Sequence, residues 1–330
     1  MIGWLSSAIR TESQSWIFTE LDSTGFGLQG HALQAGACYV SVFCHAMRLD
    51  YTRKLATRYS GVLGSVCGLS AGLGAEADLS RSQIVAPDGL KHLDGKHLDR
   101  VVVGTQRLFG PTPYLGGDLG VELGLIAVPE AQLLEPYLGL IAAVAKVTGL
   151  MANPLAAVAA DGLKHLLEGD AELLTGLSTT WASPRVGAYA VVRAPNSELQ
   201  RRGLQANGHE LSWTQTHSRE PVLQPYIVFS VEDSQENPDW MRQPELAASW
   251  ADLAREVRSA DQQRARLALA AFQRTAVMSA ALLPSDAARL GRLAEDRVKL
   301  AFPATMTGAG PKPDPNDIGE LASLPLFADS

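Results

Sequence analysis

The sequence predicts an α+β protein: a mostly antiparallel, β-rich body with an inserted helical pair and a C-terminal helical module. Three observations predict it. From about Ile17 to Val128 glycine and β-branched residues dominate, helix formers are scarce, and turn signals recur at intervals that suit short strands. Two apolar stretches with helical spacing then interrupt the strand pattern at about 130–168, and strand-like segments return after them. Past Asn237-Pro238-Asp239 the composition changes again, and no glycine occurs between Pro244 and Leu283. A helical insertion between strands, with more helices at one end, is not the regular alternation of an α/β fold.

In chain order, the sharpest local signal is Asp94-Gly95, the favoured type I′ turn, between two extended runs. A two-residue loop there sets Leu93 opposite Lys96, His92 opposite His97 and Lys91 opposite Leu98, and the second arm continues through Arg100-Val101-Val102-Val103. Leu119 to Val128 alternates weakly around Val121, Leu123 and Leu125, and Pro129 ends that strand. Glu130 to Leu150 carries Leu134, Leu138, Ile141, Ala145 and Thr148 at spacings of three and four, which predicts a helix. Its companion starts at Pro154, a favourable first-turn residue, and stops at about Glu168 before Gly169. Strands are expected again at Leu174–Trp181, Gly187–Arg193 and Tyr226–Val231. The hexapeptide Asp88–Leu93 recurs as Asp161–Leu166, once in a predicted strand and once in a predicted helix, without surrounding similarity that would make it a repeat.

The C-terminal module opens on Leu246, Trp250, Leu253 and Val257, a 4-3-4 spacing on one face of a long helix or two helices. Pro284 breaks the pattern, Ser285 or Asp286 is expected to cap the next helix, and Leu290, Leu293, Val298 and Leu300 supply its buried side. The expected organisation is a β-rich body over 1–236, a helical module over 237–302 and a flexible Pro/Gly-containing tail over 303–330.

Composition narrows the function classes. Hydrophobic residues make up 46% and charged residues 19%, the range of a globular chain. The net charge of −7 and the absence of any Lys/Arg-rich run argue against nucleic-acid binding. An excess of Arg over Lys with abundant Ala suits a GC-rich bacterial source. Cys38, Cys44 and Cys67 are odd in number and lack C-x-x-C spacing, so a disulfide framework is not expected. The N-terminal apolar stretch is too short for a signal peptide, and a cytoplasmic location is the expectation. The apolar run 139–160 is interrupted by Lys146, Gly149 and Asn153-Pro154, whereas a spanning helix needs about 20 unbroken apolar residues.

Motifs with a chemical reading are few. Gly68-Leu69-Ser70-Ala71-Gly72 matches the G-x-S-x-G of serine hydrolases, in which glycines let a nucleophile sit on a tight strand-to-helix turn. His209 or His217 would be the base and Asp161 or Asp170 the acid. A random chain with this glycine and serine content contains the pattern about one time in five. The flanks also favour extended chain, so a glycine-rich turn is the preferred reading. Gly25-Phe26-Gly27-Leu28-Gln29-Gly30 matches the dinucleotide fingerprint, with Asp50 where a ribose-binding acid would stand, but Tyr39–Phe43 inside the required helix is β-prone. His92 and His97 share one face of the predicted hairpin with Cβ atoms about 5 Å apart. Two imidazoles alone do not make a zinc site, and a third ligand would have to come from Asp99, His31 or His45. Cys44-His45 suggests a thiol–imidazole pair only until alternation is applied, since neighbours on a strand point to opposite faces. Asp22, Asp118 and Asp233 remain as loop carboxylates. No cofactor and no metal is expected.

The function expected from these readings is a non-catalytic protein-interaction or assembly component, acting on a protein partner or on a second copy. The apolar peptide Leu321, Leu324, Leu326 and Phe327 is the expected partner-binding element, because the preceding Pro311, Pro313 and Pro315 linker gives it reach. The alternatives are a serine hydrolase or acyltransferase using Ser70 with His209 or His217, and a membrane-perturbing effector in which residues 130–168 enter a bilayer.

Overall fold

The computed structural model describes residues 16–49, 53–54, 56–70, 79–85, 100–101, 105–129, 172–207, 210–215 and 218–302. The chain is α+β, rich in antiparallel sheet, and divides into two compact units, Met1–Gln235 and Glu236–Ser330. The hairpin at Asp94-Gly95, the helical pair at 130–168 and the tail 303–330 lie outside the described residues.

In the first unit the strands are β1 (Trp16–Glu20), β2 (Tyr39–Arg48), β3 (Arg53–Lys54), β4 (Thr57–Leu69), β5 (Leu79–Val85), β6 (Arg100–Val101), β7 (Gln106–Pro113), β8 (Leu119–Pro129), β9 (Glu172–Trp181), β10 (Gly187–Arg193), β11 (Gly203–Asn207), β12 (Glu210–Gln215), β13 (Ser218–Pro221) and β14 (Tyr226–Ser234). They form three antiparallel sheets. One runs β1-β10-β14-β2, with β6 and β7 both on the far edge of β2. The second runs β3-β4-β8-β9, with β5 also on β4, and the third is the meander β11-β12-β13.

Alternation explains how the sheets stack. Val40, Val42 and Cys44 of β2, Ile227, Phe229 and Val231 of β14, Leu63, Cys67 and Leu69 of β4, and Val121, Leu123 and Leu125 of β8 share one buried cluster, so the first two sheets face each other across it. The opposite face of the first sheet, with Ile17, Ala188, Ala190, Val192 and Val228, is buried against Ala206, Leu211 and Trp213 of the meander. That sheet is therefore apolar on both faces, which is why β10 and the start of β14 read as near-continuous hydrophobic runs instead of alternating. Tyr189 and Phe229 pair across β10 and β14 with ring centroids 5.4 Å apart, and Trp181 of β9 reaches Tyr189 at the same distance.

Three of the early glycines lie in extended chain. Gly61, Gly64 and Gly68 are within β4, and Gly64 registers with Gly124, which registers with Gly176. Gly25 and Gly27 end a short 3-10 helix, Ser23–Phe26, whose N-cap Asp22 accepts from the Thr24 amide at 3.0 Å; Gly27 closes it at φ +71°. After this glycine segment the chain enters β2, so the helix that a pyrophosphate loop requires is a strand. Gly110, at φ +84°, is the tightest position: a Cβ there would stand 2.2 Å from the Val40 carbonyl oxygen, so only glycine lets β7 cross β2 at its register shift.

The second unit holds α2 (Pro244–Arg258), α3 (Gln262–Met278) and α4 (Pro284–Ala301), after a short helix in the first unit, α1 (Asn196–Arg201). The glycine-free stretch is thus two helices, separated where Ala260 takes φ +57° and Asp261 caps α3 through the amides of Gln263 and Arg264. Leu246, Trp250, Leu253, Phe272, Ala276, Leu290, Ala294 and Val298 form the core. Trp240, Trp250 and Phe272 meet edge-on at 5.2–5.9 Å. Two expectations are corrected here. Leu300 is exposed, because at about 100° per residue it stands about 120° from the centre of the buried stripe of Leu290, Ala294 and Val298. The first residue of α4 is Pro284 and its N-cap is Leu283, so the helix is capped neither by Ser285 nor by Asp286. The Asp286 carboxylate accepts instead from the Asn237 amide at 2.9 Å and from Arg289.

Candidate functional site

Polar groups in the first unit gather around the end of β14. In the pairing of β2 with β14, Cys44 faces Phe229 and Ala46 faces Val228, which leaves His45 as the extra residue of a bulge. The bulge turns His45 away from Cys44, whose side chain joins the core between the sheets. His45 Nε2 lies 2.8 Å from Ser230 Oγ, Ser230 donates to Glu232 Oε1 at 2.6 Å, and Thr105 Oγ1 lies 3.4 Å from His45 Nδ1. Phe26 packs on the imidazole at 4.9 Å. The proton order follows from the serine: its single hydrogen goes to Glu232, so Nε2 must carry hydrogen and donate to Ser230. An imidazole that donates to a hydroxyl is not the base for that hydroxyl. The serine is fully buried as well.

A second pair lies one residue along. His31 Nε2 lies 3.0 Å from Asp233 Oδ2 and His31 Nδ1 lies 2.6 Å from the Gln29 carbonyl. Both nitrogens face acceptors, so the doubly protonated ring is favoured, and the Asp233 hydrogen bond is the main reason its pKa is raised. Arg185 donates to the Gly30 carbonyl beside it, and Ala32 bridges to Arg185, so the pair helps fasten the 27–37 loop to the sheet. Burial pushes the Cys44 thiol up to about 12 and raises Cys38 as well, which disfavours the reactive thiolate at these two positions.

Ser70 follows the last residue of β4. Its amide and hydroxyl both donate to the Asp118 carbonyl, at 2.9 and 3.3 Å, and its Oγ accepts from the Asp118 amide at 2.8 Å. Ser70 therefore adds a side-chain rung to the β4–β8 ladder, and β4 is antiparallel to both of its long neighbours, β5 and β8. A nucleophile elbow stands instead on a strand-to-helix turn in an α/β sheet. His209, His217, Asp161 and Asp170 lie outside the described residues, as do Asp50, Asp99, His92, His97 and Leu321, Leu324, Leu326 and Phe327. Among the described residues no group of three or more His, Cys, Asp or Glu side chains is placed to hold a metal ion, and no helix is long and apolar enough to cross a membrane.

The second unit carries a different kind of feature, which the sequence reading did not single out. Helix α3 buries Ala265, Phe272 and Ala276. Roughly opposite, at about 100° per residue, Leu267, Ala270, Arg274, Val277 and Met278 fall within about 100° of arc. That face is open: Leu267 is 67% exposed, Val277 71% and Met278 82%. Single exposed apolar residues are ordinary, but Leu267, Val277 and Met278 share one helical stripe, with Ala270 and Arg274 between them. The ionisable residues of α3 are Arg264, Arg266 and Arg274, with no acid between Gln262 and Met278. Arg264 pairs with Asp261 at 3.4 Å, while among the described residues no ion pair engages Arg266 or Arg274.

Next to this strip lies a cleft of about 220 Å³ between the start of α3 and the end of α4. Leu269, Val298 and Phe302 supply its apolar lining, and Arg266, Glu295 and Lys299 its charged groups. Lys299 is held by Glu295 at 2.8 Å, which raises its pKa. Arg266 lines the cleft and lies beside the strip, so the two form one basic, apolar surface. The signal for it was present in the sequence as Leu267, Ala270, Val277 and Met278 at helical spacing. No family model, curated protein or solved structure matches this chain.

Proposed function

We propose that this protein is a non-catalytic interaction or assembly component that binds a protein partner through the outer face of α3. The observation that carries the reading is the exposed strip Leu267, Val277 and Met278 with Arg266 and Arg274 beside and within it. Apolar surface of this kind supplies affinity when covered, and the charges select what covers it. The surface is basic, so the matching partner segment is apolar with acidic flanks, laid along α3 as a helix or extended peptide.

The test compares the full-length wild-type protein with Leu267→Asp/Val277→Asp. Both positions point outward, so the variant is expected to keep the wild-type melting temperature. A partner captured by the wild type is identified, purified and titrated against both. The reading requires at least about tenfold weaker binding to the variant, corresponding to about 1.4 kcal/mol. Equal affinity for both proteins would remove α3 from the function. The acyl-transfer alternative is separated by a fluorophosphonate probe: labelling of wild type and not of Ser70→Ala would displace the interaction reading.

A further inference from the structure

We infer that the ligand of the α3 face within this molecule is its own C-terminal segment, Asp314–Asp329, docked in cis. The inference rests on the reading of α3 as a docking face and adds the identity of an occupant.

Charge complementarity is the first argument. The α3 face offers Arg266 and Arg274 with no acid on the helix, Arg264 being paired with Asp261, whereas residues 303–330 contain Asp314, Asp317, Glu320 and Asp329 against Lys312 alone. The acids are interleaved with Ile318, Leu321, Leu324, Leu326 and Phe327, so the segment is apolar and acidic where the face is apolar and basic. A second copy of α3 would instead set Arg266 and Arg274 against like charges, which disfavours pairing of two such faces.

Position is the second. The last described residue, Phe302, lines the cleft together with Arg266, so the chain leaves α4 beside the basic end of the surface. From Phe302 to Asp317 there are 15 residues, and a flexible chain of that length spans about 20 Å on average. The 17 residues of α3 extend about 25 Å. That reach is enough for the apolar residues of the segment to lie over the strip. Tethering at this length gives an effective concentration on the order of 1 mM. A segment that binds the face at about 100 µM as a free peptide would hold it about nine-tenths of the time when attached.

The consequence is competition: an external partner must displace the tail. The test uses a fluorescent peptide of sequence Asp314–Ser330 and three full-length proteins, followed by fluorescence anisotropy. Wild type is expected to bind the peptide weakly, because its own segment holds the face. Leu324→Asp/Phe327→Asp, which disables the attached segment, should bind it about tenfold more tightly. Adding Leu267→Asp/Val277→Asp to that protein should abolish binding. Equal affinity for wild type and the tail variant would overturn docking in cis while leaving α3 as a binding face. Absence of binding to any of the three would also overturn it, and the partner titration above then decides separately whether α3 binds anything. Sedimentation of wild type as a dimer that becomes monomeric on Leu324→Asp/Phe327→Asp would overturn it too, since the segment would then be exchanged between copies.

Discussion

Asp286→Ala tests how the helical unit is closed at its first residues. The Asp286 side chain is fully buried, its Oδ2 accepts the Asn237 amide at 2.9 Å, and its Oδ1 accepts Arg289 Nε and an Arg289 terminal nitrogen at 2.8 and 2.7 Å. Two costs follow from truncation, and they differ in size. The Asn237 backbone N–H, on a residue that is itself buried, loses its acceptor, which costs about 1–3 kcal/mol. Arg289 is 36% exposed and also faces Glu236 Oε2 at 3.3 Å, so it returns to water or to that partner, and its share is only about 0–1 kcal/mol. The expected loss is therefore about 1–4 kcal/mol, centred below the 3–5 kcal/mol for breaking a pair in which both charges are sealed. Asp286→Asn keeps an acceptor for the amide and should lose about 1 kcal/mol. Urea unfolding followed by helical circular dichroism reads the helical unit directly, since α2, α3 and α4 carry most of the described helix. A loss under about 0.5 kcal/mol for the alanine variant, or equal losses for alanine and asparagine, would refute the assignment of the amide as the main dependent group.

Two further perturbations address the β unit. Ser230→Ala removes the acceptor of His45 Nε2 and the donor to Glu232, and is expected to lower stability by about 1–3 kcal/mol. An unchanged thermal transition would show that the buried serine has no structural role. The His31–Asp233 pair should give pH-dependent stability: because the folded-state pKa of His31 is raised, its contribution is complete below the ordinary imidazole value and fades as pH rises through the raised one. Both groups are partly in solvent, so the effect is under about 1 kcal/mol. Comparing melting of wild type and Asp233→Asn at pH 5.5 and 8.5 checks it, and a difference between the two proteins that does not narrow at the higher pH would contradict the pairing.

The strands were legible where side chains alone decide them. Tyr39–Phe43 reads as β because aromatic and β-branched residues fit a pleated surface, and that reading outweighed the glycine fingerprint before it. The meander β11-β12-β13 escaped because its strands are short and polar. The His45–Ser230–Glu232 cluster was illegible for another reason. It joins residues 185 positions apart through a bulge, and a bulge is set by the register of two strands, not by the residues of one. On α3 the apolar residues were plain, but Leu267 and Phe272 are both apolar, and which of them faces the core depends on how α2 and α4 pack.

That ambiguity is itself informative. A helix in a three-helix unit needs one apolar stripe for its neighbours and gains solubility from charge on the other side. Helix α2 follows this rule, with Asp252, Arg255 and Glu256 in an exposed ion-pair network outside its core stripe of Leu246, Trp250 and Leu253. Helix α3 departs from it by placing Leu267, Val277 and Met278 in solvent, where nothing in the folding of the unit requires them. In the β unit, by contrast, Ser70 and Ser230 have their hydroxyls committed to specific acceptors, and burial holds the Cys38 and Cys44 thiols protonated. The exposed strip on α3 is thus the feature of the helical unit that its own packing leaves unexplained.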